Sequence, residues 1–287
     1  MKPVVRAFFD EDTNTVSYVV KDPAGKDCAI IDSVLDFDQA SCRTSTASAD
    51  QLLRYINEQE LNVLWILETH THADHLTAAS YLRSKTGGRI GTGKLITRVP
   101  ATFKRIYNLE DEFIADGNQF DRLFDDGEQL KLGSLHIEVM HTPGHTPACV
   151  TFLIGDAAFV GDTLFMPDFG TARADFPDGD AAVLFQSIQR IFELPPNTRL
   201  FMCHDYKAPG RDEFGWETSV EQQRAQNVHI HDGVSEQSFV EFRQARDAQL
   251  GMPKLILPSS QVNIRAGELP SKEGNGIAYL KFPINAL

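Results

Sequence analysis

An α/β protein with two mixed sheets between layers of helices is predicted, on three observations. Strands, helices, strands and helices follow one another in a rough internal echo that has no fixed short period. The run Val63-Leu64-Trp65-Ile66-Leu67 has the length and apolarity of a fully buried strand. The 287 residues, 42% of them hydrophobic, suffice for one large α/β domain or two modest ones.

Taken in order, residues 4–9, 15–20 and 28–31 are expected as short strands, separated by Asp10-Glu11-Asp12 and Asp22-Pro23-Ala24-Gly25. Residues 33–48, rich in Ser, Thr and Asp, are expected as an ordered loop. A helix capped near Ser48 or Asp50 carries Leu52, Leu53 and Ile56 at helical spacing. Asp74 and His75 are expected to open a second helix through Leu76, Ala79 and Leu82, stopped by Gly87-Gly88. Residues 89–93 read as a strand, and 94–127 show no clean period. Short strands then follow at 129–132, 135–140, 148–153 and 157–160, with Gly133 and Gly155 marking turns. A helix at 180–194 presents Val183, Leu184, Ile188, Ile191 and Phe192, and 199–203 reads as a buried strand. Residues 216–227 and 235–250 are expected as helices, the second anchored by Phe239 and Phe242. The segment after Pro253 is irregular, with one strand expected at 277–282.

Net charge is -13 and the pI about 5.1, so neither nucleic acid nor an anionic membrane surface is an expected partner. An anionic substrate must then be held by local cations or by a metal. Cys28, Cys42, Cys149 and Cys203 are scattered without a CxxC pair, which fits reduced thiols. The opening MKPVVRAFFDEDT has no apolar core of signal-peptide length, and no stretch reaches the roughly 18 apolar residues that cross a bilayer. A soluble cytoplasmic protein is expected.

Directly after the buried run, the chain offers His70, His72, Asp74 and His75 within six positions. In an extended segment residues two apart point the same way, so His70 and His72 aim at one point. Imidazole and carboxylate suit Zn, Fe or Mn, and the absence of a nearby Cys argues against a closed structural zinc site. A polar turn bonded only to itself is the bland alternative, outweighed by the density of the motif. Three further groups fall at strand ends: His145 beyond the Pro143-Gly144 turn, Asp162 in Gly161-Asp162-Thr163, and His204 in Cys203-His204-Asp205-Tyr206. Each alone is more often structural; together they have the geography of an active site. His136 and His141 read as structural, and His229 and His231 as solvated.

These residues resemble the metallo-β-lactamase superfamily: Thr69-His70-Thr71-His72-Ala73-Asp74-His75, the Thr-Pro-Gly-His-Thr stretch, Gly161-Asp162-Thr163 and His204 stand in its order. The resemblance implies an αββα sandwich with a metal at the open edge between two sheets. Leu67-Glu68-Thr69-His70, the segment from Gly170 to Phe176, Cys203-His204-Asp205-Tyr206 and the tail from Gln261 to Gly267 are similar to bacterial persulfide dioxygenases. Those enzymes oxidise glutathione persulfide with O2 to sulfite and glutathione. By this resemblance residues 1–230 form the catalytic domain and 231–287 a C-terminal helix and tail packed on it. It also implies one Fe(II) per chain, on His70, His145 and Asp162, the two-histidine, one-carboxylate set of non-haem iron oxygenases. His72, Asp74, His75 and His204 are then expected either to orient those ligands or to hold a second metal.

Tyr206, Asp74 and His204 are the expected catalytic residues beside the metal. Arg173, Tyr206 and Arg265 are expected to hold the substrate, since a guanidinium pairs a carboxylate bidentately; Lys207 and Arg211 lie nearby in sequence. The competing activity is a two-metal thioester hydrolase of the glyoxalase II type. A non-catalytic metal or persulfide sensor is less favoured, because no basic patch offers an output to DNA. A homodimer stays open.

Overall fold

In chain order, β1 (Val4–Asp10), β2 (Thr15–Lys21), β3 (Asp27–Ile31), β4 (Val34–Asp38) and β5 (Arg43–Ser45) precede α1 (Ala47–Glu58). Then come β6 (Asn62–Leu67), β7 (Leu76–Thr77), α2 (Ala79–Thr86), β8 (Arg89–Gly93), α3 (Arg98–Tyr107) and β9 (Arg122–Phe124). The second half runs β10 (Gln129–Leu132), β11 (Leu135–His141), β12 (Val150–Ile154), β13 (Ala157–Phe159), α4 (Ala181–Phe192) and β14 (Arg199–Phe201). It ends with β15 (Glu217–Ser219), α5 (Val220–Gln226), α6 (Glu236–Asp247) and α7 (Ile256–Asn263). This computed structural model describes residues 2–110 and 113–285.

Side-chain alternation decides the layering. β2 sends Val16, Tyr18 and Val20 to one face and Val19 to the other; β3 likewise divides Ala29 and Ile31 from Cys28 and Ile30. A sheet apolar on both faces must be covered on both. That first sheet has the order β1-β2-β3-β6-β8-β9, and a second has β10-β11-β12-β13-β14-β15. Their inner faces meet through Val16, Tyr18, Trp65, Phe124, Phe152, Phe159 and Phe201. α1, α2, α3 and α7 contribute to the core on the outer face of the first sheet, α4 and α6 to that of the second. The result is an αββα sandwich. In β6, Cys28 pairs with Val63 but Ala29 with Trp65, so Leu64 is an extra residue. The bulge turns Leu64 and Trp65 together toward the inter-sheet core.

Most elements lie within three residues of their expected bounds, and the exceptions have physical causes. Residues 33–48 are not a loop: β4 and β5 pair as a hairpin, and β4 also pairs with β7. Asp74 and His75 do not open a helix. Leu76 and Thr77 are drawn into pairing with β4, and α2 begins only at Ala79. Residues 216–227 begin as β15, claimed by β14, before α5 starts at Val220. Phe239 is buried, but Phe242 is 41% exposed and rests on the His229 ring. The strand expected at 277–282 is absent: Lys272 and Ala278 make one isolated bridge, and Ile277, Tyr279 and Phe282 are exposed. After residue 230, α6 packs on α4, and α7 on β7 and α3. Among the described residues no helix is long and apolar enough to cross a membrane.

Candidate metal centre

The chain leaves β6, β11, β13 and β14 at one edge of the sandwich. β13 and β14 are parallel, and β11 lies two antiparallel steps from β13, so all three point the same way. His145, Asp162 and His204 follow these strand ends, while His70, His72, Asp74 and His75 follow β6 in the other sheet. The two sheets are tied here by Val16 N–H donating to Cys203 O at 2.7 Å. Gly161 adopts φ +53°, and a Cβ there would stand 2.6 Å from Thr69 Oγ1. Only glycine lets the Asp162 loop approach the His70 strand so closely.

Each imidazole is anchored through one nitrogen. His145 Nδ1 lies 2.7 Å from Arg173 O, a carbonyl that only accepts, so Nδ1 carries the proton. Thr69 Oγ1 donates to Asp32 Oδ2 at 2.9 Å and therefore accepts from His70 Nδ1 at 3.0 Å. His75 Nδ1 lies 3.3 Å from Thr15 Oγ1, and His204 Nδ1 lies 3.3 Å from Asn14 O. His72 is held by Nε2, 3.1 Å from Asp32 and 3.2 Å from Glu68. The opposite atoms are buried and lack hydrogen-bond partners: His70 Nε2, His72 Nδ1, His75 Nε2, His204 Nε2, Asp74 Oδ1 and Asp162 Oδ1. Convergent orphaned donors, each oriented from behind, are what a metal requires. These residues fit a transition-metal ion.

They divide into two groups. His70, His145 and Asp162 form one, and His72, Asp74, His75 and His204 the other, with ligand atoms in each within 4.8 Å of one another. Asp162 touches both: Oδ2 lies 3.7 Å from His70 Nε2 and 3.6 Å from His145 Nε2, and Oδ1 lies 3.3 Å from His204 Nε2. Burial holds His70 well below the usual imidazole range, and burial with the neighbouring His72 lowers His75 to about 4. Burial opposes the charge on His72 as well, but Asp32 and Glu68 outweigh it and raise that ring well above its ordinary value. Burial pushes the Asp162 carboxyl up against the opposing pull of His204 and His145. It would raise Asp74 too, yet His204 and His75 hold that carboxyl well below the usual range.

A cavity of about 910 Å³ opens from this edge, lined at its inner end by Asp74, His145, Asp162 and Tyr206. Tyr206, 40% exposed to the cavity, donates to Asp74 Oδ2 at 3.3 Å and stacks on His204. Burial of the phenol, then the charges of Asp74 and Asp162, keep it protonated. Arg173 also lines the cavity, but its guanidinium is bidentate on Asp175 and donates to Gly251 O at 2.7 Å. Arg265 does not line it: this side chain pairs with Glu110 at 2.8 Å and covers the Phe113 ring. Arg211 is engaged by Asp205 and Asp168, and Lys207 lies 4.2 Å over Phe214. His229 is not solvated; its Nδ1 accepts from Thr171 N–H at 3.0 Å. His231 is exposed as expected, and His141 Nε2 bonds Phe124 O.

Sequence reasoning missed Asp32, Glu68, Cys203 and Asn263 as members of this site. Cys203 lies with Asp162 and His204, its thiol raised well above normal by burial and by Asp32. Asn263 donates to His72 O and His75 O and accepts from Thr77 N–H, each at 2.8 Å. Nothing in the sequence near residue 263 points to that role.

A family profile described as Metallo-beta-lactamase superfamily matches residues 10–204. A probable metallo-hydrolase of Burkholderia pseudomallei is 53% identical over 99% of both chains. A Dictyostelium discoideum protein named Glyoxylase B2 is 50% identical over 100% of this chain and 98% of its own. The mitochondrial persulfide dioxygenase ETHE1 of Homo sapiens is 31% identical over 92% of this chain and 89% of its own. Among solved structures, ETHE1 from Myxococcus xanthus superposes with a TM-score of 0.73 and 28% identity, over 92% of this chain and 100% of that one.

Proposed function

This chain belongs to the metallo-beta-lactamase superfamily, and within it we propose a persulfide dioxygenase that acts on glutathione persulfide at a single ferrous site. One observation carries the reading: His70, His145 and Asp162 gather as a group of two imidazoles and one carboxylate, while His72 falls in the other group with Nε2 pinned by Asp32 and Glu68. The likeness to proteins named persulfide dioxygenase supports it.

One persulfide, one O2 and one water give one thiol and one sulfurous acid; the S–S bond breaks, the outer sulfur is oxidised and O2 is reduced. Ferrous iron, when bound, would supply the open-shell centre through which the sulfur's electrons can reach ground-state O2. The protein orients and sets charge. Arg173 O and Thr69 Oγ1 fix His145 and His70 with Nε2 free. Tyr206, protonated and facing the cavity, offers an O–H to a sulfur or oxygen anion at the inner end. Asp74, held ionised, accepts that O–H until substrate arrives. His204 lies between Asp74 and Asp162 and keeps both carboxylates in place.

Protein purified without oxygen is expected to carry one iron per chain, to take up O2 with glutathione persulfide and to release sulfite in equal amount. The second reading, a two-metal thioester hydrolase, is favoured by Asp162 standing between both ligand groups. Two metals per chain with hydrolysis of S-lactoylglutathione and no O2 uptake would establish it instead.

A further inference from the structure

The cavity runs outward from the metal centre, and its far wall raises a question of charge. Of the cations expected to hold an anionic substrate, Arg173 and Arg265 are bound by carboxylates of the protein, and so is Arg211, which lies near the site in sequence. Arg243, which also lines the cavity, is buried and spent on Asp247. Three other cations line the cavity, Arg43, Arg246 and Lys254, and among the described residues none pairs with a carboxylate. Arg43 stands directly across the hairpin from Asp38. Arg246 and Lys254 belong to the opposite wall, in the last turn of α6 and just beyond it.

Both are placed by the same contacts that place the metal ligands. Arg246 precedes Asp247, whose carboxylate accepts from Ala174 N–H at 2.9 Å, and the neighbouring Arg173 O holds His145. Gly251 O, three residues before Lys254, accepts from Arg173. Lys254 O in turn accepts from Gln39 at 3.4 Å, which ties this wall to the tip of the β4–β5 hairpin beside Asp38. Lys254 lies within electrostatic reach of Asp38, whose carboxyl is lowered first by Ser41 and then by Lys254, yet the two do not close into an ion pair.

We propose that Arg246 and Lys254 anchor the two carboxylates of the glutathione moiety, with Asp38 taking the ammonium beside Lys254. A tripeptide thiol has one thiol, two carboxylates and one ammonium. Its γ-glutamyl end carries ammonium and carboxylate on one carbon and needs opposite charges on neighbouring walls; Asp38 and Lys254 both line the cavity where Gln39 donates to Lys254 O. With the sulfur at the inner end, the glycine carboxylate falls to Arg246. The plain alternative, that Arg246 merely offsets the carbonyl end of α6 and Lys254 is solvated, predicts no effect on ligand affinity.

The inference rests on a glutathione-bearing substrate and is tested by two readouts. Binding of S-methylglutathione to the iron-loaded protein is followed by calorimetry, and steady-state O2 uptake is followed with glutathione persulfide and with an alkyl persulfide lacking carboxylates. Arg246→Ala and Lys254→Ala are each expected to weaken S-methylglutathione binding about tenfold or more, and to raise KM for glutathione persulfide more than for the alkyl persulfide. Lys254→Arg should restore much of the loss. Lys131→Ala, which removes an exposed charge on β10 outside the cavity, controls for net charge and should change neither. Equal affinity in wild type and both alanine variants overturns the proposal, as does an equal loss in the Lys131 control. Tight, variant-sensitive S-methylglutathione binding without any O2 uptake would keep the anchors and remove the oxygenase reading.

Discussion

At the scale of single residues, the centre depends on atoms that never touch the metal. Thr69 Oγ1 is the acceptor that keeps the His70 proton on Nδ1. Thr69→Val should leave the fold intact and reduce metal affinity by about 10- to 100-fold, measured by competition with a chelator; unchanged affinity would show that Asp32 and Thr69 do not set the tautomer. His229 offers a test away from the ligands. Burial, then Arg243 and Arg246, lower it from 6.5 to about 4, so the fold prefers the neutral ring. The unfolded chain takes up its proton first as pH falls. This contribution is therefore intact above about 6.5 and is lost progressively between 6.5 and 4. His229→Gln should lower stability at pH 7 but flatten its decline toward pH 5 in urea titrations. A parallel decline in both proteins would discard that account.

At the scale of elements, α7 acts as a clasp. Its last residue, Asn263, is buried and satisfies two carbonyls and one N–H of the metal loop. Asn263→Ala leaves these groups unpaired and is expected to cost about 3 kcal/mol or more, with loss of bound metal before global unfolding. Denaturant curves with metal analysis along the transition would check this. The clasp also explains what could be read in advance. His70, His72, Asp74 and His75 were legible because six positions hold four ligating side chains. Their backbone was not, because Thr77 answers to Asn263, 186 positions away, and Leu76 to Leu35. The β4–β5 hairpin was obscured for a related reason: Asp36 and Asp38 line the cavity, so the segment lacks the apolar run that marks the buried strands. Arg173 was recognisable as a neighbour of the site, but its bond to Asp175 depends on how the loop turns, which one sequence does not reveal.

At the scale of the whole molecule, the ligands come from both halves of the sandwich: one cluster after β6, and His145, Asp162 and His204 from the second sheet. An ion bound among them favours the folded chain over the unfolded one. Stripping the metal is expected to lower Tm by several degrees, since about 1 kcal/mol shifts Tm by roughly 2–4 °C in a chain of this size. Readdition should restore it, and calorimetry with and without chelator would show whether it does. The layered architecture was readable from alternation in β2 and β3 and from the apolar run of β6, because burial on both faces leaves a continuous mark. Charge balance across the cavity was not, because whether Arg246 or Lys254 is paired depends on all the walls at once.

The reach of Asn263 back to His72, His75 and Thr77 has a bearing on biogenesis. A ribosome delivers the histidine-rich motif early and the residue that clamps it nearly two hundred codons later, a delay of roughly ten seconds or more. Through that interval the histidine-rich loop lacks the three hydrogen bonds that Asn263 gives it. Closure of the metal loop therefore waits on a residue made long after the loop itself.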